Sequence, residues 1–153
     1  MNKNTIILGG TRGIGLSIAK KFLNEKNIVH IISRNKIFKI EEKLLGEYSG
    51  NVFFYNCDAT QVDELSSVRK DILNNSNNVI DKVICNIGNG SGSNKYLQDY
   101  EEWDKSWQTN FNSPIFSARI FLDDLKKSKG VLLFITSIAC LLYTSDAADD
   151  TPC

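Results

Sequence analysis

The sequence lacks an excess of charge of either sign and lacks long hydrophobic runs. Lys plus Arg and Asp plus Glu each number 18 among 153 residues, so there is no electrostatic reason to expect a nucleic acid or an acidic membrane surface as partner. No apolar run approaches the roughly 20 residues that cross a bilayer. The N-terminus, MNKNTIILGG, has an apolar run shorter than the ~7–15 residues of a signal-peptide core. We therefore expect a cytoplasmic protein without a nucleic-acid or membrane partner.

The cysteines also lack a recognisable pattern. Cys57, Cys85, Cys140 and Cys153 show no CxxC or other metal-binding spacing, so no metal site is expected. Cys57 and Cys85 each close an apolar run, which is typical of small buried hydrophobic residues. A disulfide is not expected in the cytosol.

Apolar runs and helical patterns alternate along the chain. Helical spacing of apolar residues over 13–26, 36–50, 63–74 and 100–127 separates five apolar runs, at 4–10, 27–34, 51–60, 79–88 and 130–137. Such alternation predicts βαβ units and a parallel sheet covered on both faces, which is a doubly wound α/β domain. In the second helix we expect four residues to face inward: Ile37, Ile40, Leu44 and Leu45. In the long fourth pattern Pro114 marks a kink or a new first turn.

The most informative segment is ILGGTRGIGLSIA, between the first run and the first helical pattern. In this position a dinucleotide pyrophosphate meets backbone N–H groups and the positive end of a helix dipole. Gly9 would allow the tight turn, Gly13 the approach of backbone to phosphate, and Gly15 close packing of helix on sheet. A P-loop is excluded because no Gly-Lys-Ser/Thr follows. A plain glycine-rich turn is the alternative interpretation.

The end of the second run favours NADP(H) over NAD(H). Folds of this type use an acidic residue about 20 positions beyond the glycines to bind the ribose hydroxyls of NAD, whereas this chain has Ser33 and Arg34. Arg34 could pair with a 2′-phosphate, and Arg12 could support it. The alternative is that Arg34 is a solvated residue at a strand end.

These motifs, in this order, resemble the short-chain dehydrogenase/reductases over residues 4–139. G-x-x-x-G-x-G is matched at Gly9, Gly13 and Gly15; CDAT places Asp58 and Ala59 at the adenine position; CNIG corresponds to the family's Asn-Asn-Ala-Gly. The resemblance implies a Rossmann fold and a catalytic pair, Asn110 in WDKSWQTNFNSPIF and Ser137 in LLFITSIA. It implies cofactor contacts from Gly9, Thr11, Arg12, Gly13, Ile14, Gly15, Ser33, Arg34, Asp58, Ala59, Asn86, Ile87 and Gly88.

The resemblance also implies an activity: hydride transfer between a nicotinamide cofactor and a small carbonyl or alcohol substrate. In the family a serine orients the substrate oxygen, a tyrosine transfers the proton and a lysine lowers the pKa of that tyrosine. Trp103 and Trp107, four residues apart, suggest one packing face. That helix commonly forms a subunit interface in the family, so a homodimer or homotetramer is expected of the parent protein.

The segment after Ala139 departs from the family pattern. Tyr143 comes too early for the family's Tyr-x-x-x-Lys, Ala147 stands in place of the lysine, and no lysine follows Lys129. CLLYTSDAAD is the translation of TGT CTC TTA TAC ACA TCT GAC GCT GCC GAC, which resembles the adapter of transposase-based sequencing libraries. We therefore interpret residues 1–139 as a partial NAD(P)-binding domain whose sheet is incomplete at its C-terminal side.

Residues 140–153 are then an adapter-encoded tail, and we expect this fragment to be inactive. Two alternatives stay open. One is a naturally truncated paralogue, and the other is a regulatory protein that binds a dinucleotide on the same fold without catalysis.

Overall fold

A computed structural model describes residues 2–88 and 99–136 of the chain. Its centre is a parallel five-stranded sheet in the order β3-β2-β1-β4-β5. The strands are β1 Asn4–Leu8, β2 Ile28–Ser33, β3 Val52–Asn56, β4 Lys82–Cys85 and β5 Val131–Phe134. The helices are α1 Gly13–Asn24, α2 Phe38–Glu47, α3 Val62–Asn75, α4 Tyr100–Trp107 and α5 Ser113–Ser128, with a π-helical turn, Gln108–Asn112, joining the last two. The predicted doubly wound α/β sheet is confirmed.

Helices cover both faces of this sheet. All five residues of β1 are buried, because that strand is central and its successive side chains point to opposite faces. On one face Ile6 and Leu8 pack in a cluster with residues of α3 and α5, among them Leu65 and Phe121. On the other face Ile7 packs in a second cluster with residues of α1 and α2. This two-sided burial explains the continuous apolar runs of β1, β2 and β4. Cys57 and Cys85 are buried free thiols, as expected.

The prediction for α2 was wrong at one position. Leu44 is buried, and Ile40 packs against the same cluster, whereas Leu45 is 47% exposed. Positions 40 and 44 lie one above the other on a helix, and position 45 is rotated about 100° away from that face. Ile37 precedes the first helical residue and is half-buried.

The long helical pattern is interrupted by the π-helical turn. Pro114 lies in the first turn of α5, where its missing N–H costs little because the first N–H groups of a helix have no partner within the helix. Trp103 and Trp107 share one face, as their spacing predicts, but they stack on each other at 5.6 Å and are 51% and 43% exposed. Within residues 2–88 and 99–136, no helix has the length and apolarity to cross a membrane.

His30 lies fully buried in β2, an interior strand of the sheet. Its Nδ1 is 3.1 Å from the hydroxyl of Tyr55, and its ring stacks on Phe53 at 5.2 Å. Nε2 has no hydrogen-bond partner within the described part of the chain. Burial of this side chain lowers the pKa of His30 from 6.5 to about 4, because a charged imidazolium is poorly solvated there.

Stability should therefore fall with acidification. The unfolded chain takes up a proton at His30 below pH 6.5, whereas the folded chain does not until about pH 4. The free energy of unfolding should thus lose about 3 kcal/mol as pH falls through this window. His30→Leu should remove this part of the pH dependence in urea unfolding series. If the free energy of unfolding falls with pH to the same extent in both proteins, His30 does not control this pH dependence.

An ion pair joins α3 to α5. Arg69 donates from Nε to Asp124 Oδ2 at 2.6 Å and from Nη2 to Oδ1 at 2.7 Å. The Asp124 side chain is 5% exposed and that of Arg69 is 28% exposed. Removing one partner of a buried pair leaves the other poorly solvated, at a cost of ~3–5 kcal/mol, and less where the remaining charge can reach water.

We expect Asp124→Ala to lower the free energy of unfolding by about 2–3 kcal/mol, since Arg69 keeps partial access to solvent. The matched control is Asp123→Ala on the same helix. The Asp123 side chain is 81% exposed, and its Oδ1 lies 3.7 Å from Nζ of Lys126. Its removal should lower the free energy of unfolding by no more than about 0.5 kcal/mol. Chemical denaturation of both variants measures the difference, and equal losses would contradict the assignment.

Candidate functional site

A cavity of about 800 Å³ opens at the carboxyl edge of the sheet. Parallel α/β sheets bind ligands at this edge, where strand ends and helix N-termini converge. Twelve of the thirteen cofactor-binding residues predicted from sequence are on its wall. The twelve are Gly9, Thr11, Arg12, Gly13, Ile14, Ser33, Arg34, Asp58, Ala59, Asn86, Ile87 and Gly88.

The other three predicted residues are Gly15 and the two predicted catalytic residues, Asn110 and Ser137. Asn110 is also on the cavity wall, in the π-helical turn. Gly15 is buried beneath the cavity and is absent from its wall. Ser137 lies outside the described residues, as do residues 89–98 and the tail from residue 140. Thr136, just before Ser137, is on the wall. The site as described is thus thirteen predicted residues around one cavity.

The floor of the glycine loop is a tight contact between two glycines and one asparagine. Asn86 Nδ2 donates to the carbonyl oxygen of Gly9 at 3.0 Å. A Cβ on Gly9 would lie 2.7 Å from the Asn86 carbonyl oxygen, and a Cβ on Gly15 would lie 2.2 Å from that of Gly9. Both distances are too short for any side chain. Gly15 therefore lets α1 approach the strand ends, which is the packing role predicted from sequence.

The N-terminus of α1 faces the cavity. Arg12 is its N-cap and gives no side-chain hydrogen bond to the first turn. The first N–H groups of a helix lack partners within the helix and carry partial positive charge. Gly13 has a φ of +52°, and a Cβ there would meet no atom within 4 Å. An anionic group such as a phosphate fits this open, uncapped end.

The cavity wall at the end of β2 is polar and basic, and the N-cap of α1 adds a second arginine. Arg34 and Arg12 are both exposed and both on the cavity wall. Ser33 Oγ donates to the carbonyl oxygen of Asn35 at 3.1 Å, which shapes the turn after the strand. This turn contains no acidic residue. Its positive charge therefore favours binding of an anionic group over binding of two uncharged ribose hydroxyls.

Asp58 lies in a turn beyond β3. Its Oδ1 accepts hydrogen bonds from the Thr60 N–H at 3.0 Å and the Thr60 hydroxyl at 2.9 Å. Its own N–H donates to Glu64 Oε2 at 3.1 Å, from the first turn of α3. These bonds fix the Asp58 backbone at the cavity wall, the position predicted for contact with adenine.

Cys57 also contributes to the wall but is poorly suited to nucleophilic chemistry. Burial, with the nearby carboxylates of Glu64 and Asp58 as lesser causes, raises the pKa of the Cys57 thiol to about 11. Burial alone raises the pKa of Cys85 to about 12. Because the thiolate is the reactive form, neither cysteine is activated at neutral pH.

The π-helical turn brings Asn110 toward the end of β4. A Cβ on Gly88 would lie 3.9 Å from Asn110 Oδ1. The extra residue of a π-turn shifts the side chains that follow relative to a regular helix. Ser113, on the wall below, donates to the carbonyl oxygen of Thr109 at 2.7 Å, which supports the turn from its buried side.

Sequence reasoning missed nine residues of the wall. They are Ile32, Asn35, Ile37, Cys57, Thr60, Thr109, Ser113, Ile135 and Thr136. Most immediately follow or precede predicted residues at strand ends, so the same edge-of-sheet argument could have included them. The only sequence signal for Ser113 was that it is a small residue three positions after Asn110.

Comparisons with known proteins agree with this geometry. The family model described as short chain dehydrogenase matches residues 3–148. The chain is 29% identical over 153 residues to an uncharacterized oxidoreductase of Saccharomyces cerevisiae, covering 95% of this chain and 57% of that protein. It is 30% identical over 145 residues to the 3-oxoacyl-[acyl-carrier-protein] reductase FabG of Chlamydia trachomatis, covering 92% and 58% of the two chains.

A solved structure is similar to this chain over almost all of its length. ElxO with NADP bound superposes with a TM-score of 0.84 at 26% identity, covering 94% of this chain and 59% of that one. The chain thus spans little more than half the length of these relatives. The family match ends at residue 148, inside the segment interpreted as an adapter-encoded tail. The 139/140 boundary stays a prediction.

Proposed function

The chain belongs to the short-chain dehydrogenase family, and we propose on that premise that its cavity binds NADP(H). We propose further that the whole protein transfers a hydride between this cofactor and a small carbonyl or alcohol substrate. The observation that carries the first proposal is the joint presence on one cavity wall of the open α1 N-terminus, Arg12 and Arg34. The names of relatives, an acyl-carrier-protein reductase among them, support the second.

The residues present fit such a cofactor. The backbone N–H groups at the start of α1 would bind the pyrophosphate, because no side chain caps them and Gly13 leaves room beside them. The Asp58 turn would hold the adenine end. The guanidinium of Arg34 would pair with the 2′-phosphate and that of Arg12 would support it.

The remaining roles concern the reacting end. The cofactor, when bound, donates or accepts the hydride. We propose that Asn110, on the wall beside Gly88, helps to organise the polar groups there, and that Ser137 orients the substrate oxygen. With Ala147 four residues after Tyr143, we expect the 153-residue chain to bind cofactor without turning over substrate.

Arg34→Asp tests the cofactor preference. A charge-assisted Arg–phosphate pair contributes on the order of 1.5–3 kcal/mol, so this change should weaken NADPH binding by about tenfold or more. NADH binding should stay the same or improve, because a carboxylate at this position can accept hydrogen bonds from ribose hydroxyls. Titration calorimetry of the 153-residue chain gives both affinities, and equal affinity of the unmodified chain for the two cofactors would refute the preference.

A further inference from the structure

Asn56 is the last residue of β3, and it lies beside the end of β2. The parallel register pairs it with Ser33, one residue before Arg34. Its side chain is exposed and is absent from the cavity wall, so a direct contact with a ligand does not account for it. It lies next to two carbonyl groups of the neighbouring strand end.

The hydrogen-bond chemistry fixes the orientation of the Asn56 amide. The carbonyl oxygens of Ser33 and Arg34 only accept hydrogen bonds, so the amide nitrogen must face them. In that orientation Asn56 donates to the Ser33 oxygen at 3.3 Å and to the Arg34 oxygen at 2.6 Å. Both contacts come from one side chain that reaches across two strand ends.

The two carbonyls differ in their other partners. The Ser33 oxygen also accepts the Cys57 N–H at 3.0 Å, which extends the strand ladder by one step. For the Arg34 oxygen, residues 2–88 and 99–136 provide no hydrogen-bond donor other than Asn56. Asn56 is thus the tether of the Arg34 backbone in the described structure.

We propose that Asn56 is a positioning residue that selects the 2′-phosphorylated cofactor by fixing the backbone from which Arg34 projects. An arginine side chain loses considerable conformational freedom when it binds a phosphate, so a fixed backbone lowers the cost of ordering it. This inference rests on the proposed binding of NADP(H). It predicts that Asn56 affects the preference between the two cofactors rather than binding in general.

The test measures the affinities of the 153-residue chain for NADPH and NADH with and without Asn56. Asn56→Ala should weaken NADPH binding by about fivefold, the scale of one hydrogen bond, and leave NADH binding within about twofold. Asn56→Asp has the same size but places carboxylate oxygens against two carbonyl oxygens, so the loss for NADPH should exceed that of the alanine variant. Asn24→Ala is the matched control, because Asn24 is also exposed and makes one side-chain bond, to Tyr48.

A double-mutant cycle with Arg34→Ala separates positioning from general support of the fold. If Asn56 acts through Arg34, then Asn56→Ala should change NADPH binding by less than about twofold when Arg34 is already alanine. A fivefold loss that persists in the Arg34→Ala background, or an equal loss for NADH, would overturn the proposal. Thermal unfolding of each variant shows whether it is folded. If Asn56→Ala is not folded, the NADPH and NADH affinities of Asn56→Asp are measured in its place.

The outcome also separates this inference from the proposed function. Equal affinity of the unmodified chain for NADPH and NADH contradicts NADP(H) selectivity and, with it, the role of Asn56. A clear preference for NADPH that survives Asn56→Ala unchanged contradicts only the role of Asn56.

Discussion

Gly15→Ala is expected to lower the free energy of unfolding by about 3 kcal/mol, at the upper end of the range for overpacked sites. The added Cβ would lie 2.2 Å from the Gly9 carbonyl oxygen and 2.6 Å from Asn86 Nδ2. The first of these atoms belongs to the backbone, so α1 must move away from the strand ends to admit the methyl group. The same movement should disturb the glycine loop and weaken NADPH binding.

Gly46→Ala is the matched control for this experiment. Gly46 lies within α2, and a Cβ there would meet no atom within 4 Å. Alanine in place of glycine raises stability by about 0.5–1 kcal/mol in a helix interior, and we expect a smaller gain at Gly46, the second-last residue of α2. Urea denaturation should therefore give changes of opposite sign for the two variants. A Gly15→Ala protein as stable as Gly46→Ala would mean that the contact between α1 and the Gly9–Asn86 pair is not tight.

Gly13→Val is expected to abolish measurable NADPH binding while preserving most of the fold. Gly13 is the first residue of α1 and lies on the cavity wall, and a Cβ there would meet no protein atom within 4 Å. The valine methyl groups would instead occupy the space that we assign to the pyrophosphate. Because φ is +52°, a non-glycine residue also adds strain of about 1–2 kcal/mol.

Gly50→Val separates this strain from the loss of space in the cavity. Gly50 has a φ of +81° and an equally open Cβ position, but it lies between α2 and β3 and is not on the cavity wall. It should lose a similar amount of stability and retain NADPH affinity. Undiminished NADPH affinity of Gly13→Val in titration calorimetry would refute the role assigned to Gly13.

Much of the fold could be predicted because its signals are local. Each apolar run contained one strand. For β1, β2 and β4 the runs are continuous because both faces of the sheet are buried there, whereas the edge strand β5 is apolar but largely exposed. The ends of the runs were less informative: Val79 belongs to the fourth run, yet it is 43% exposed, and β4 begins at Lys82. The apolar residues at the start of this run lie in the segment that precedes the strand and not in the strand.

The cavity wall was predictable where one motif contributes several neighbouring residues, as in Gly9–Ile14 and Asn86–Gly88. Contacts that depend on two distant segments were not predictable from one sequence. The bond from Asn56 to the Arg34 carbonyl depends on the register of β2 with β3. The π-helical turn that carries Asn110 joins α4 to α5, and the sequence showed only Pro114 near it.

The most direct test of the central claim is a calorimetric titration of the unmodified 153-residue chain with NADPH and, separately, with NADH. The residues that we assign to cofactor binding lie within residues 9–88, all of them in the described structure. We therefore predict that the chain binds one NADPH per molecule and binds NADH about tenfold more weakly or worse, as expected from the Arg34–phosphate pair. Absence of binding heat with both cofactors, from a chain shown by circular dichroism to be folded, would contradict the claim that this cavity is a dinucleotide site.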